Sequence, residues 1–335
     1  MKEIKKSITY ITATCKAAEN RLLGKERIRR MAEAASEKDA LAVLKETSFG
    51  GGTDGADSDS VIKKEEKLTL DFVREYAPDE SCLSYFLLPY DFYNAEAIVK
   101  CVFSGNSADK YVGEEGLFTV DELKTVAESL FKAGKDAEKI DGISNKMPAE
   151  LIGAMKEAFA ALDGGGNGVV TGVIFKRAEY ACLLRVVKHS YLKKMLVSKL
   201  DAINVSVCLR TADYESAEKQ LINGGTLTEV QKRALCEKDE KKVAEAFASH
   251  PLKETILRSV KAIKDFKPLV DLEKEINGGG ASRMYDGRFT EQSGTLPFVA
   301  YVSRRLYETA CVRIVLSGKT NGLDGEKIAE RLKTL

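Results

Sequence analysis

Residues 297–323 read PFVAYVSRRLYETACVRIVLSGKTNGL. Phe298, Val302, Leu306, Ala310 and Ile314 recur at every fourth position, and Val299, Tyr307, Cys311 and Val315 widen the stripe. Apolar residues at that spacing mark a helix, and a face this broad marks a buried one. Pro297 suits a first turn, where its missing N–H has no bond to lose, and Gly318 suits a C-terminal stop. About 20 residues lie between them, or about 30 Å of helix at 1.5 Å per residue. That length would cross a bilayer, but Arg304, Arg305, Glu308 and Arg313 fall within it. Each charge at mid-membrane costs roughly 3 kcal/mol. The stretch therefore predicts a long helix buried in protein.

The chain has 335 residues, enough for two or three domains with real cores. Its 52 basic and 51 acidic side chains leave a net charge of +1, which gives no overall reason to expect nucleic acid as a partner. Cys15, Cys82, Cys101, Cys182, Cys208, Cys236 and Cys311 never form a CxxC pair, and there are only two histidines. Such scattered thiols argue against a zinc site and for reduced core residues of a cytosolic protein. No apolar leader and no uncharged run of 18 residues is present, so a soluble chain is expected.

Residues 1–22 read as a helix with Ile8, Ile11, Ala18 and Leu22 on its apolar side. Gly24–Gly51 reads as two short helices, the second capped by Ser36. Gly50–Asp59 is a loop whose aspartates lack EF-hand spacing. Residues 60–105 are helical again, with Pro89 expected to kink or restart the run and Gly105 to end it. Thr119 with Glu122, and Thr228 with Gln231, form capping boxes. The glycines at 164–168 lack the third glycine and the preceding strand of a dinucleotide site. Val173–Leu200 is expected as one long helix, continued by residues 201–210. It carries Lys176, Arg177, Arg185, Lys188, Lys193, Lys194 and Lys199. Lys188, Lys193 and Lys194 form a candidate interface for an acidic partner, although an ordinary solvated face carries the same charges. His189 has no ligand partner one turn on. A further helical run is expected to reach Ile276, broken near His250-Pro251, before a third loop over 278–294.

Three segments share a pattern: Asp91-Phe92-Tyr93-Asn94, Asp201-Ala202-Ile203-Asn204 and Glu308-Thr309-Ala310-Cys311. The acids stand about 110 residues apart, and each tetrapeptide leads into an apolar helical run, then a loop and a new helix start: LFTVDEL, TLTEVQK and GLDGEKI. LLGKERI near the N-terminus looks like a further partial copy. Equal spacing in a constant order is the trace of a triplicated helical unit of about 100 residues, dividing the chain into domains at 1–107, 108–215 and 216–335. Residues three apart share a helix face. There a carboxylate can accept from an arginine or a backbone N–H, and an amide can bridge to a neighbouring element. Catalysis would need a second acid or base in the same cleft, so Asp91, Asn94, Asp201, Asn204, Glu308 and Cys311 are read as architecture. No catalytic, metal or cofactor residue is assigned. The Gly318-Lys319-Thr320 of a nucleotide-binding loop is a false friend. Position 313 is arginine where that loop needs glycine, and the segment ends a helix rather than starting one.

Taken together, AENRLLGKERIRRM, LLPYDFYNAEAIVKCVFSG, LDAINVSVCLR and the stretch quoted first resemble the C-type subunits of the V-type (A/V-type) ATPases and ATP synthases, whose eukaryotic counterpart is the d-type subunit. The resemblance spans essentially the whole chain. It departs from the family pattern at Cys311, where asparagine is usual. It implies an all-α, funnel-shaped protein of three similar domains with pseudo-threefold symmetry. The implied role is non-catalytic and needs no cofactor: a central-stalk socket between the D- and F-type shaft subunits of the soluble motor and the membrane proteolipid ring. It would couple ATP hydrolysis or synthesis to H⁺ or Na⁺ transport from a peripheral position on the cytoplasmic membrane face, with no nucleic acid and no direct lipid insertion. A generic helical-repeat scaffold would explain the repeat without the family pattern. An enzyme with an unrecognised helical site is a third reading.

Overall fold

In a computed structural model, which describes residues 6–52, 57–133, 146–277 and 294–333, every regular element among those residues is helical. Over the described residues the fold is therefore all-α, as the helical periodicity predicts. Contacts divide it into two compact units, one formed by Met1–Cys82 with Ser249–Leu335 and the other by Leu83–Ala248.

The first unit starts with α1 (Ile8–Glu19), α2 (Gly24–Glu33) and α3 (Glu37–Lys45), followed by a short 3₁₀ turn at Phe49–Gly51 and α4 (Ser58–Tyr76). Ser36 caps α3 by accepting from Asp39 N–H, as its sequence position suggests, and Asp57 caps α4 in the same way through Ser60 N–H. Most of α5 (Glu80–Ser104) belongs to the second unit, with α6 (Val120–Ala133), α7 (Ala149–Asp163), α8 (Gly168–Val186), α9 (Ser190–Arg210), α10 (Tyr214–Glu218), α11 (Glu229–Glu237) and α12 (Glu240–Ala246). The first unit resumes with α13 (Lys253–Lys264), α14 (Val270–Asn277), α15 (Leu296–Thr320) and α16 (Gly325–Leu332). Both capping boxes form: Thr119 exchanges bonds with Glu122, and Thr228 with Gln231.

Helix breaks differ from expectation at four places. Pro89 lies inside α5 without a break. Phe86, Leu87, Leu88 and Phe92 are buried on both sides of it, which offsets the roughly 3 kcal/mol a proline costs there. The break falls earlier, before Glu80, where Asp79 Oδ1 accepts from Cys82 N–H at 2.9 Å. The single helix expected over 173–200 is two, because Val187 and His189 are extended. Consecutive β-branched Val186 and Val187 weaken the helix at that point, and Val187 is fully buried by the turn. The run expected to reach Ile276 has extra stops, including Lys238 in the left-handed region (φ 55°) with Asp239 capping the next helix. The third expected loop lies outside the described residues except for Gly294.

The fourth difference concerns α15. Gly318 does not stop it. The helix continues to Thr320, and Gly322 takes the left-handed conformation (φ 69°) beyond its end. Gly318 is instead a contact point, since a Cβ there would meet Ile328 Cγ1 of α16 at 2.8 Å. The buried stripe is also displaced. Residues four apart turn 400° along a helix, so a strict period of four drifts about 40° per step. Phe298 and Val302 are buried, but Leu306, Ala310 and Ile314 are only half-buried. Val299, Cys311 and Val315 of the expected stripe are buried too, Tyr307, Ala310 and Ile314 pack against the core from its edge, and Thr309, Val312 and Leu316 extend the buried face beyond the stripe. Cys311, Val312, Val315 and Leu316 meet Met31, Ala40, Leu44, Val61 and Ile328 in one core, with α15 flanked by α1, α2, α3, α4 and α16.

Leu316→Ala should therefore cost about 2–5 kcal/mol in urea denaturation, and Leu306→Ala distinctly less. Equal costs would mean that the stripe read directly from the sequence is the one that packs.

Candidate functional site: buried acids and a basic helix face

Asp91, Asp201 and Glu308 are 0 %, 3 % and 2 % exposed. A buried carboxylate is costly unless its oxygens are hydrogen-bonded, and each of the three takes bonds from a stretch of loop at or just before a helix start. Asp91 accepts from Leu117 N–H at 2.9 Å and Phe118 N–H at 3.0 Å. Asp201 accepts from Thr226 N–H at 2.7 Å and from its hydroxyl at 2.6 Å. Glu308 accepts from Leu23 N–H and Gly24 N–H, both at 2.8 Å. The segments lead into α6, α11 and α2. Charge-assisted bonds of this kind are about twice as strong as neutral ones.

The residue one turn on completes the clamp twice. Asn94 donates to Gly113 C=O at 2.7 Å and accepts from Gly113 N–H at 3.2 Å. Asn204 does the same with Ile222, at 2.8 and 2.9 Å. Cys311 is buried in the third position, and a thiol cannot supply the paired donor and acceptor of an amide.

The third acid does not bind the helix start that follows it in the chain. GLDGEKI follows it in the chain, yet Glu308 binds the N-terminal LLGKERI segment, while GLDGEKI forms the start of α16 under an Asp324 cap. Chain neighbours supply the partner for the first two acids; for the last, the partner comes from the opposite end of the chain.

Two glycines matter that the sequence pattern does not single out. A Cβ on Gly116 would lie 2.0 Å from Asp91 Oδ1, and one on Gly225 would lie 2.2 Å from Asp201 Oδ1. Each immediately precedes the first N–H donor, and only glycine admits the carboxylate so closely. The corresponding residue before Leu23 is Leu22, and there the acid is glutamate, which reaches one methylene further. The sequence signal for these glycines is the recurrence of Gly-x-apolar-Thr at 116–119 and 225–228.

Residues 11–331 match the ATP synthase (C/AC39) subunit family. The chain belongs to that family. It is also similar to the C-type subunit of the V-type sodium ATPase of Enterococcus hirae, at 20 % identity over 288 residues that cover 84 % of each chain.

The basic stretch of this C/AC39 family member is only partly a free face. Arg177 donates to Glu218, Lys219 and Leu221 carbonyls and so caps α10. Lys176 pairs with Glu179. Arg185 makes a two-pronged bond to Glu150 and holds its carboxyl below the usual carboxylate range. Lys188, Lys193 and Lys194 sit at the α8–α9 break and the first turn of α9. Lys188 and Lys194 are exposed and Lys193 half-buried, and Lys188 donates to Arg185 C=O.

In the first unit a cleft of about 660 Å³ lies between α1, α4 and α15. Its floor is Arg305, bound to Glu65, whose other oxygen accepts from Gly50 N–H at 2.8 Å. This is another carboxylate spent on holding backbone. All seven cysteines are free and buried. Burial pushes the thiols of Cys15, Cys82, Cys208 and Cys311 up to about 12, and that of Cys182 up to about 11. Such thiols carry almost no thiolate at neutral pH and are poor nucleophiles.

Gly116→Ala and Gly225→Ala should each cost about 2–4 kcal/mol, because displacing the acid strands buried donors. Gly153→Ala, in α7 with no atom within 4 Å of the new Cβ, should gain about 1 kcal/mol. Urea midpoints for the three variants check this ordering. A thiol reagent at pH 8 should label the native chain slowly and the unfolded chain at once. Rapid stoichiometric labelling of the folded protein would show that a cysteine is open to solvent.

Proposed function

We propose that this chain is a non-catalytic central-stalk subunit of a V-type ATPase or ATP synthase. It acts as a socket that joins the D- and F-type shaft subunits of the soluble motor to the membrane proteolipid ring. The observation that carries this reading is the family match over residues 11–331. The named relative belongs to a sodium ATPase, and in this reading the complex couples ATP hydrolysis or synthesis to movement of H⁺ or Na⁺. The protein lies on the cytoplasmic face as a peripheral component. Among the described residues no helix is long and apolar enough to cross a membrane.

The clamps support a three-part organisation for the socket. With repeats at 1–107, 108–215 and 216–335, the acid of the first repeat holds the head of the second. The acid of the second holds the head of the third, and the acid of the third holds the head of the first. A cyclic order of bonds suits the proposed funnel of three similar domains with pseudo-threefold symmetry, the form expected of a seat for a shaft tip. Torque transmission needs a stiff body, and close-packed helices deform little. Lys188, Lys193 and Lys194 are the proposed contact for an acidic patch of a partner protein, an interaction that salt would weaken.

Membranes from a strain lacking this chain should lose ATP-driven ion transport, while the detached soluble motor keeps its ATP hydrolysis. Transport at the normal ATP-coupled rate in the deletion strain would refute the socket role.

A further inference from the structure

The turn between α13 and α14 has the bond pattern of a glycine-type helix stop. Lys267 N–H donates to Ala262 C=O at 2.8 Å and Phe266 N–H to Ile263 C=O at 3.3 Å. The residue just before Lys267 must then be left-handed, and glycine is its usual occupant. Here it is Phe266, at φ 54°. Left-handed backbone is strained for a bulky side chain. The ring does not recover that cost inside the molecule, because Phe266 is 97 % exposed. Two unfavourable choices thus coincide at one residue: a large aromatic where glycine fits, and the whole ring in water. Strain held at a surface position is a reason to look for function there.

The surroundings say what kind of surface would accept the ring. The sequence is Lys261-Ala-Ile-Lys264-Asp265-Phe266-Lys267-Pro268, and Lys261, Lys264, Asp265, Phe266, Lys267 and Pro268 are all exposed. Three lysines and one aspartate give the tip a net positive charge. Lys261 and Lys264 lie in the last turn of α13, beside the left-handed residue, and Lys267 follows it, its exposed ammonium 3.3 Å from the Asp265 carboxylate. An aromatic ring at the apex of a rigid turn, ringed by lysines, matches the boundary of an anionic bilayer. Aromatic rings settle at the headgroup level, and lysines gain from the negative surface potential.

We infer that the Phe266 tip is a membrane-interface contact for anionic phospholipid. The ring enters the headgroup boundary while Lys261, Lys264 and Lys267 meet lipid phosphates. This departs by one side chain from the expectation of no direct lipid insertion. It involves no spanning segment, and it does not depend on the socket reading, because the isolated chain is enough to test it.

The experiment is cosedimentation of the full chain with vesicles of phosphatidylcholine alone or mixed with phosphatidylglycerol, at low and high salt. The parent protein should bind the mixed vesicles, bind neutral ones much less, and come off in salt. Phe266→Gly should weaken binding about ten-fold, the worth of one buried aromatic ring. Its thermal midpoint should be at or above that of the parent, since glycine relieves the strained backbone. Lys261→Gln, Lys264→Gln and Lys267→Gln together should weaken binding to mixed vesicles roughly a hundred-fold. No preference for anionic vesicles, or equal binding by Phe266→Gly, overturns the inference. So does a Phe266→Gly variant that fails only to copurify with the assembled membrane complex while the parent ignores vesicles; the tip would then dock on protein.

Discussion

A carboxylate cannot stay buried in a helical core without donors, and a helix start is where donors are free. The first N–H groups of a helix, and those of the loop before it, have no partner within the helix. Asp91, Asp201 and Glu308 bring these two needs together. Each acid sits mid-helix on a long apolar segment and receives hydrogen-bond donors from a segment about to become a helix. The bond ties the backbone at or just before the new helix to the middle of the old one. Core packing then follows, as in the cluster that joins Met31, Leu44 and Ile328 to Val312 and Val315. Removing an acid would strand its donors, which is more costly than the bond itself is worth.

The differences among the clamps follow from side-chain length. Aspartate is short, so the backbone must come to it, and Gly116 and Gly225 make room. Glutamate reaches further, and Leu22 is tolerated at the matching place. The amide that doubles the first two clamps is replaced by Cys311 in the third. There the burden falls on Glu308 and on the apolar packing of α15.

Much of this is legible in the sequence alone. Helical period, capping residues and the Asp-x-x-Asn recurrence point to an all-α chain with acids read as architecture, because they depend on local chemistry and on spacing along one face. What cannot be read that way depends on distant partners. Nothing local in GLDGEKI or LLGKERI says which of them Glu308 will meet; that is decided by which end of the chain folds back onto α15. The same limit explains Pro89, where buried neighbours on both sides outweigh a local penalty, and Gly318, which serves a neighbouring helix rather than a helix end. Leu306 and Ile314 are less buried than the stripe suggests for a different reason, since a four-residue period drifts toward the edge of the face that a 3.6-residue helix presents. The basic face reads as a unit in the sequence, yet Arg177 and Arg185 are committed to bonds within the fold, and only part of it, Lys188 and Lys194 included, is exposed.

If the acids organise the fold, they hold the loop backbone as firmly as the core holds the helices. Amide hydrogen exchange reads this residue by residue. The amides of Leu117, Phe118, Thr226, Leu23 and Gly24 belong to loops or helix starts, where exchange is ordinarily fast. The clamps predict that they exchange as slowly as core amides such as those of Val312 and Leu200, with the global unfolding free energy. Exchange at the rate of exposed loop amides would show that the carboxylates do not hold those segments, and would contradict the organising role of Asp91, Asp201 and Glu308.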